Sequence, residues 1–426
     1  MCNHHVKNSK PKSNPYLLLR EIFERFGQDY VDKCNPMSSQ KKILEDVIKC
    51  CTPEIGRGYE QYCADCNETH VYYNSCQNRG CPRCHWSKKK KWVKTMITRL
   101  PKCSYSFVTV TAPQELSALI SRDQKFWYDI LLAVSADAIK DMADNSLGGL
   151  PIILATLQTW NHKLDYHPHG HFIVSNGGSN PDGEFIEPNN PYWIQTNRLS
   201  LRIKELVLKR IKQNQRHWSS RTYGHIERCI RKGHWEVDCQ PFGKECYDTD
   251  DNGNAISKTD HGTNSEMLLK YVSRDALAGH RIIDIDDEYV VIAYKNHRRN
   301  RDVEEIISGV EYIKRFMEHV LPKRFQHVRH YGLLHSSKTA TLKKIKSQFD
   351  KKFSESGGIM DQWLQYSESL VQEDQEDVNN TFAQNCSHCG NRTLKSSRIF
   401  FKNNKTRKSH FSYGESRAGP PMPHLD

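Results

Sequence analysis

The stretch Thr156–Gly178 reads TLQTWNHKLDYHPHGHFIVSNGG: His167, His169 and His171 alternate with Pro168 and Gly170 and run into the apolar Phe172, Ile173 and Val174. On an extended strand, side chains two apart point to the same face, so His169 and His171 can grip one metal ion together. Leu154–Trp160 upstream is rich in β-branched and aromatic residues, and Asn161–Asp165 is a polar break, so the two runs read as adjacent antiparallel strands with the clamp on an inner strand. Any single histidine here would more often be a solvated surface residue. Three in strict alternation beside an apolar run favour the metal site.

Outward from this hairpin, Tyr105–Thr111 (YSFVTVT) alternates as a strand and Phe126–Met142 has helical spacing, which predicts an α+β layer of antiparallel sheet covered by helices. Asn197–Lys212 reads as a basic amphipathic helix capped by Asn197, Trp235–Gln240 as a short strand, and the acidic Cys246–Gly262 as a surface loop. Thr263–Gly279 carries a capping box (Thr263, Glu266), an apolar stripe (Leu268, Leu269, Val272, Ala276) and a terminal Gly279, so Tyr271 falls mid-helix. Asp275 is one turn further on the same face, flanked by Lys270 and Arg274. A tyrosine, a carboxylate and two cations suit attack on a phosphodiester: the phenol as nucleophile, the cations holding phosphate and favouring phenolate, the carboxylate completing a metal site. Arg281–Ile285 and Tyr289–Tyr294 read as a hairpin, followed by the basic exit Lys295, His297, Arg298 and Arg299, a further expected DNA contact, and by a helix over Val310–Val320.

Toward the N-terminus, Tyr16–Phe26 and Met37–Cys50 have helical apolar spacing, the second with Ser38 or Ser39 as expected N-cap. Between them and the sheet lie Cys63-x2-Cys66 and Cys81-x2-Cys84, the paired-knuckle pattern of a four-cysteine zinc site, with Cys76, His70 and His85 as alternative ligands. Lys88, Lys89, Lys90 and Lys91 follow directly, between Trp86 and Trp92. Beside a zinc knuckle such a helix is read as tracking a phosphate backbone.

The 426 residues suffice for two or three domains, and a formal charge of +12 favours a polyanionic partner, nucleic acid before membrane. No run approaches the roughly 18 apolar residues of a membrane span, and the start MCNHHVKNSK lacks a signal peptide's apolar core, so a cytoplasmic, nucleoid-associated protein is expected. Fifteen cysteines in that compartment argue for metal or reduced thiols over disulfides. The expected division is a basic arm and helix (1–36), a zinc-binding, DNA-binding domain (37–100), a nuclease domain (101–335) and a polar C-terminal tail (336–426) ending in the disordered-type GESRAGPPMPHLD. Within that tail Cys386-x2-Cys389 is half a zinc ribbon, needing His388, His410 or a partner to complete it, and is read as structural or vestigial.

Taken together, TLQTWNHKLDYHPHGHFIV, KYVSRDALAGHRI, YKNHR, LPKRFQHVRHYGLL and SCQNRGCPRC, in the family's order over roughly Met37 to Leu334, resemble the rolling-circle insertion-sequence transposases, which join an N-terminal zinc-binding region to an HUH single-strand endonuclease domain. The resemblance implies that His169 and His171 are the HUH pair binding catalytic Mg2+ or Mn2+, and that Zn2+ is structural. It implies that Tyr271 attacks single-stranded DNA at element ends and target, leaving a 5′-phosphotyrosine and a free 3′-hydroxyl. Two departures stand out. Gly170 replaces the bulky apolar residue usual between the histidines, which weakens the expected anchoring of the strand, and Asp275 replaces a second tyrosine. Asp275 as third metal ligand and Asp275 as merely exposed stand level, with His167 a weaker candidate ligand. A plasmid or phage replication initiator and a zinc-dependent DNA-binding protein without catalysis are the alternatives.

Overall fold

A computed structural model describes residues 15–161, 165–188, 190, 193–242, 246–249, 255–258, 281–296, 301–355, 386, 388–389, 394–402 and 411–415. Helices α1 (Pro15–Cys34) and α2 (Ser38–Lys49) come first. In α1 Leu19, Ile22, Phe23, Phe26 and Tyr30 are buried at the spacing of one helical face. The helix runs past the expected end at Phe26. Gly27 does not break it: a Cβ there would stand 3.1 Å from Leu44 of α2, so the glycine admits the close approach of the two helices. The cap of α2 is Met37, not Ser38 or Ser39, because the Gln40 carboxamide accepts the Met37 N–H at 3.0 Å. Strands β1 (Arg57–Cys63) and β2 (Thr69–Tyr73) form a hairpin, and α3 (Pro82–Arg99) leads to the main sheet.

The middle of the chain supplies β3 (Tyr105–Thr111), α4 (Ser117–Arg122), α5 (Gln124–Leu147), β4 (Leu150–Trp160), β5 (Tyr166–Ser179), β6 (Phe185–Ile186), α6 (Thr196–Gln213), α7 (Ser220–Lys232) and β7 (Glu236–Phe242). Helix α6 is capped by Gln195, two residues before the expected Asn197. The expected loop at 246–262 contains two antiparallel paired strands, β8 (Cys246–Thr249) and β9 (Ala255–Lys258). Then come β10 (Ile282–Ile285), β11 (Tyr289–Asn296), β12 (Arg301–Ser308), α8 (Gly309–Glu318) and β13 (Val328–Gly332). The polar stretch beyond His335 carries α9 (Thr339–Glu355), β14 (Leu394–Lys402) and β15 (Phe411–Glu415).

The main sheet runs β13-β4-β5-β3-β7, antiparallel throughout, with β6 beside β5. The histidine strand β5 is central, as expected. On one face Val110, Ile153, Phe172 and Val174 pack under Trp127, Leu131 and Ile139 of α5 and Ile203 and Val207 of α6. On the other, Phe107, Leu154 and Ile173 meet Met96 and Leu100 of α3's end and Leu342 and Ile345 of α9. Helices on both faces explain the continuous apolar run Phe172–Val174.

Two smaller sheets flank this one. In β10-β11-β12, Ile282, Val290, Ile292 and Ile307 share a core with α1, α2 and α8. The Phe23 and Phe316 rings meet edge to face at 5.0 Å. The N-terminal helices thus pack on residues 282–317 of the expected nuclease domain. The second, β15-β14-β1-β2, joins the C-terminal strands to the N-terminal hairpin. Among the described residues no helix is long and apolar enough to cross a membrane.

Candidate active site and metal centres

Register places the histidines. His171 lies opposite Thr109 of β3 and Thr156 of β4, and His169 opposite Thr111 and Gln158. Directly opposed residues of an antiparallel ladder share a face, so these groups stand together on the side of the sheet covered by α3 and α9. The two rings are perpendicular, 4.6 Å between centroids, and the Phe107 ring stacks on His171 at 4.9 Å. His169 donates from Nδ1 to the His167 carbonyl at 2.8 Å, and His171 Nδ1 pairs with the Thr109 hydroxyl at 3.0 Å. Holding both Nδ1 atoms with protein oxygens fixes the ring orientations and leaves Nε2 on each as the atom that could take a metal ion, an arrangement usual for metal-binding imidazoles. Burial pushes the His169 pKa down to about 4 against the opposing pull of the His167 carbonyl, so the ring is neutral near pH 7, as a ligand must be.

Gly170 does not loosen this strand as its size suggested. A Cβ on it would come within 2.8 Å of Phe172 Cε2 and 3.4 Å of Leu132, so the Phe172 ring and α5 already fill the place a bulky residue would take. The anchor is supplied from two residues further along the same strand. Gln158 was not singled out by the sequence. It is 7 % exposed, and its amide nitrogen has no hydrogen-bond partner among the described residues. The signal that could have found it is the alternation of Thr156 and Gln158 on β4, opposite His171 and His169. His167 is exposed, its ring 5.5 Å from that of His169. An open cleft of about 2090 Å3 abuts the site, lined by Trp92, Thr156, Gln158, Trp160, His319 and His330 but by neither histidine of the pair. Tyr271, Asp275, Lys270, Arg274 and Arg298 lie outside the described residues. Lys88, Lys89, Lys90 and Lys91 are on α3, their side chains outside the described set.

The expected single zinc site is two clusters. Cys81 and Cys84 meet Cys76 and Cys50, whereas Cys63 and Cys66 meet Cys386 and Cys389; within each group the sulfurs lie within 4.8 Å of one another. The reason is directional: Cys63 ends β1 and its knuckle turns toward β14, while Cys81 and Cys84 start α3 and turn toward the C-terminus of α2, where Cys50 is the cap. In the first cluster Cys76 and Cys50 sulfurs are 3.4 and 3.7 Å from that of Cys84. A tetrahedral zinc with bonds of about 2.3 Å sets its sulfurs roughly 3.8 Å apart, which these spacings match. Helix α3 therefore starts at a four-cysteine cluster that could hold a metal ion and ends, with Met96 and Leu100, in the core beneath the histidine-bearing face.

Residues 153–341 match the family model described as putative transposase, and residues 22–112 match the transposase zinc-binding domain. A putative transposase, y4qJ, of Sinorhizobium fredii is 27% identical over 339 residues, covering 74% of this chain and 79% of that protein. The transposase for insertion sequence element IS801 of Pseudomonas savastanoi pv. phaseolicola is 24% identical over 302 residues, covering 69% and 70%. No solved structure matches the chain.

Proposed function

We propose that this chain, which belongs to the insertion-sequence transposases with an N-terminal zinc-binding domain, nicks and rejoins single-stranded DNA through a 5′-phosphotyrosine. The observation that carries the reading is the pair of oriented, buried imidazoles, His169 and His171, side by side on the central strand. Two imidazole nitrogens side by side, with Gln158 in register beside His169, make a donor set that suits Mn2+ or Mg2+ with positions open to water and phosphate. Bound there, the ion supplies the charge that polarises the scissile phosphate. Tyr271 then attacks phosphorus through its phenolic oxygen. The Tyr–O–P bond forms, the bond to the 3′-oxygen breaks, and that oxygen leaves as a hydroxyl after taking up a proton. Lys270 and Arg274 hold the phosphate and favour phenolate, and Asp275 or His167 is a further ligand candidate. The phosphotyrosine conserves the bond, so rejoining needs no nucleotide hydrolysis. Lys88–Lys91 on α3, and Arg298, provide the backbone contacts for the strand and its target.

The test is a covalent-adduct assay with purified protein, Mn2+ and labelled single strands from the DNA flanking the gene, resolved on a denaturing gel. A slow protein-DNA band that Tyr271→Phe and His169→Ala abolish is expected. Metal-replete, DNA-binding protein that forms no band with any flank would leave a binding protein without catalysis.

A further inference from the structure

The family models end at residues 112 and 341, so neither reaches Cys386 and Cys389. Those two cysteines nevertheless stand beside the first knuckle: Cys66 and Cys386 sulfurs are 3.5 Å apart across 320 residues of sequence, and Cys63 and Cys389 sulfurs are 3.6 Å apart. We propose that Cys63, Cys66, Cys386 and Cys389 hold a second structural zinc ion, distinct from the one at Cys50, Cys76, Cys81 and Cys84, which fastens the C-terminal strands to the N-terminal zinc region. The spacings exclude disulfides, whose sulfurs lie about 2.05 Å apart, and match the edge of a zinc-thiolate tetrahedron. Both halves have knuckle form. The backbone N–H groups of Cys66 and Asp65 donate to the Cys63 sulfur, and those of Cys389 and His388 to the Cys386 sulfur. His70 of β2 reaches the Cys386 sulfur at 3.1 Å through Nε2, a second contact of the kind that orients a thiolate ligand.

The backbone brings the halves together. Strand β14 pairs antiparallel with β1 from Arg57 opposite Phe401 to Cys63 opposite Leu394, so the ladder delivers the C-terminal pair to the first knuckle. Four soft sulfur donors without oxygen select zinc over the hard ions expected at the histidines. The result is a zinc ribbon assembled from the two ends of the chain, with the nuclease sheet in the loop between them.

Zinc content of the purified full chain is the test. Two ions per chain are expected, falling to one in Cys386→Ser/Cys389→Ser and to one in Cys63→Ser/Cys66→Ser. Alkylation of the wild-type, zinc-loaded protein, mapped by mass spectrometry, needs no variant to fold. Cys386 and Cys389 should be protected together with Cys63 and Cys66 and become reactive only after chelation. A C-terminal double variant that keeps two zinc ions, or Cys386 and Cys389 that react in zinc-loaded protein as fast as after chelation, would overturn the proposal.

Discussion

Gly170 shows how a single position can be legible in type and misread in consequence. The sequence marks it as the missing bulky residue between two histidines, yet the side chain that fills its place comes from Phe172, which is fully buried over it. Gly170→Ala therefore adds a methyl to occupied space and should lower stability by about 1–3 kcal/mol. The urea midpoint checks this, and Phe172→Leu in the same chain should recover part of the deficit. His169 gives a pH dependence. Its folded pKa, about 4, lies below the ordinary value of 6.5, so between the two the unfolded chain binds a proton that the folded chain refuses. Stability is thus complete above pH 6.5, falls as pH drops toward 4 and levels off below. Without Mg2+ or Mn2+, wild type should lose about 2 kcal/mol more than His169→Gln between pH 7 and pH 5. Equal decreases in urea titrations at the two pH values would show that burial does not suppress the charge.

Elements are legible in the sequence where apolar periodicity is strong and poorly bounded where tertiary partners set their limits. Strand Tyr105–Thr111 has the bounds its alternation predicts, whereas α1 runs on to Cys34 because Tyr30 finds a core formed by residues from 282 to 317. That core depends on α8 starting in the right place against α1: a Cβ on Gly309 would overlap the Phe26 ring. Ser308 caps the helix by accepting the Glu311 N–H at 3.2 Å. Ser308→Ala should cost about 1 kcal/mol of stability, and amide exchange should quicken first in α8. Uniform exchange across the chain would mean that the cap is redundant.

At the scale of the whole molecule, α3 is the connection that matters. It leaves the Cys50 cluster, carries four consecutive lysines, and ends under the sheet face that bears His169 and His171. An 18-residue helix is about 27 Å long, enough to lay several phosphates between the zinc region and the histidines. Replacing Lys88–Lys91 with alanine should weaken binding of single strands of any sequence and flatten the plot of log affinity against log salt by up to about 3, at roughly 0.7 for each phosphate no longer neutralised. An unchanged slope would take the strand off this helix.

The sequence by itself determined the α+β class, the central histidine strand and the presence of cysteine metal sites, because each is written in local spacing: period two for a strand, two residues between knuckle thiols. It also carried the motifs that place the chain among the transposases. Only the tertiary structure decided which thiols stand together, that Gln158 stands beside the histidine pair, and that Phe172 fills the place of the missing anchor. Those facts depend on strand register and on contacts between residues up to 326 positions apart, for example Cys63 with Cys389. Spacing along a chain states which ligands form a pair; which pairs meet is set by the ladder between β1 and β14, which no local pattern encodes.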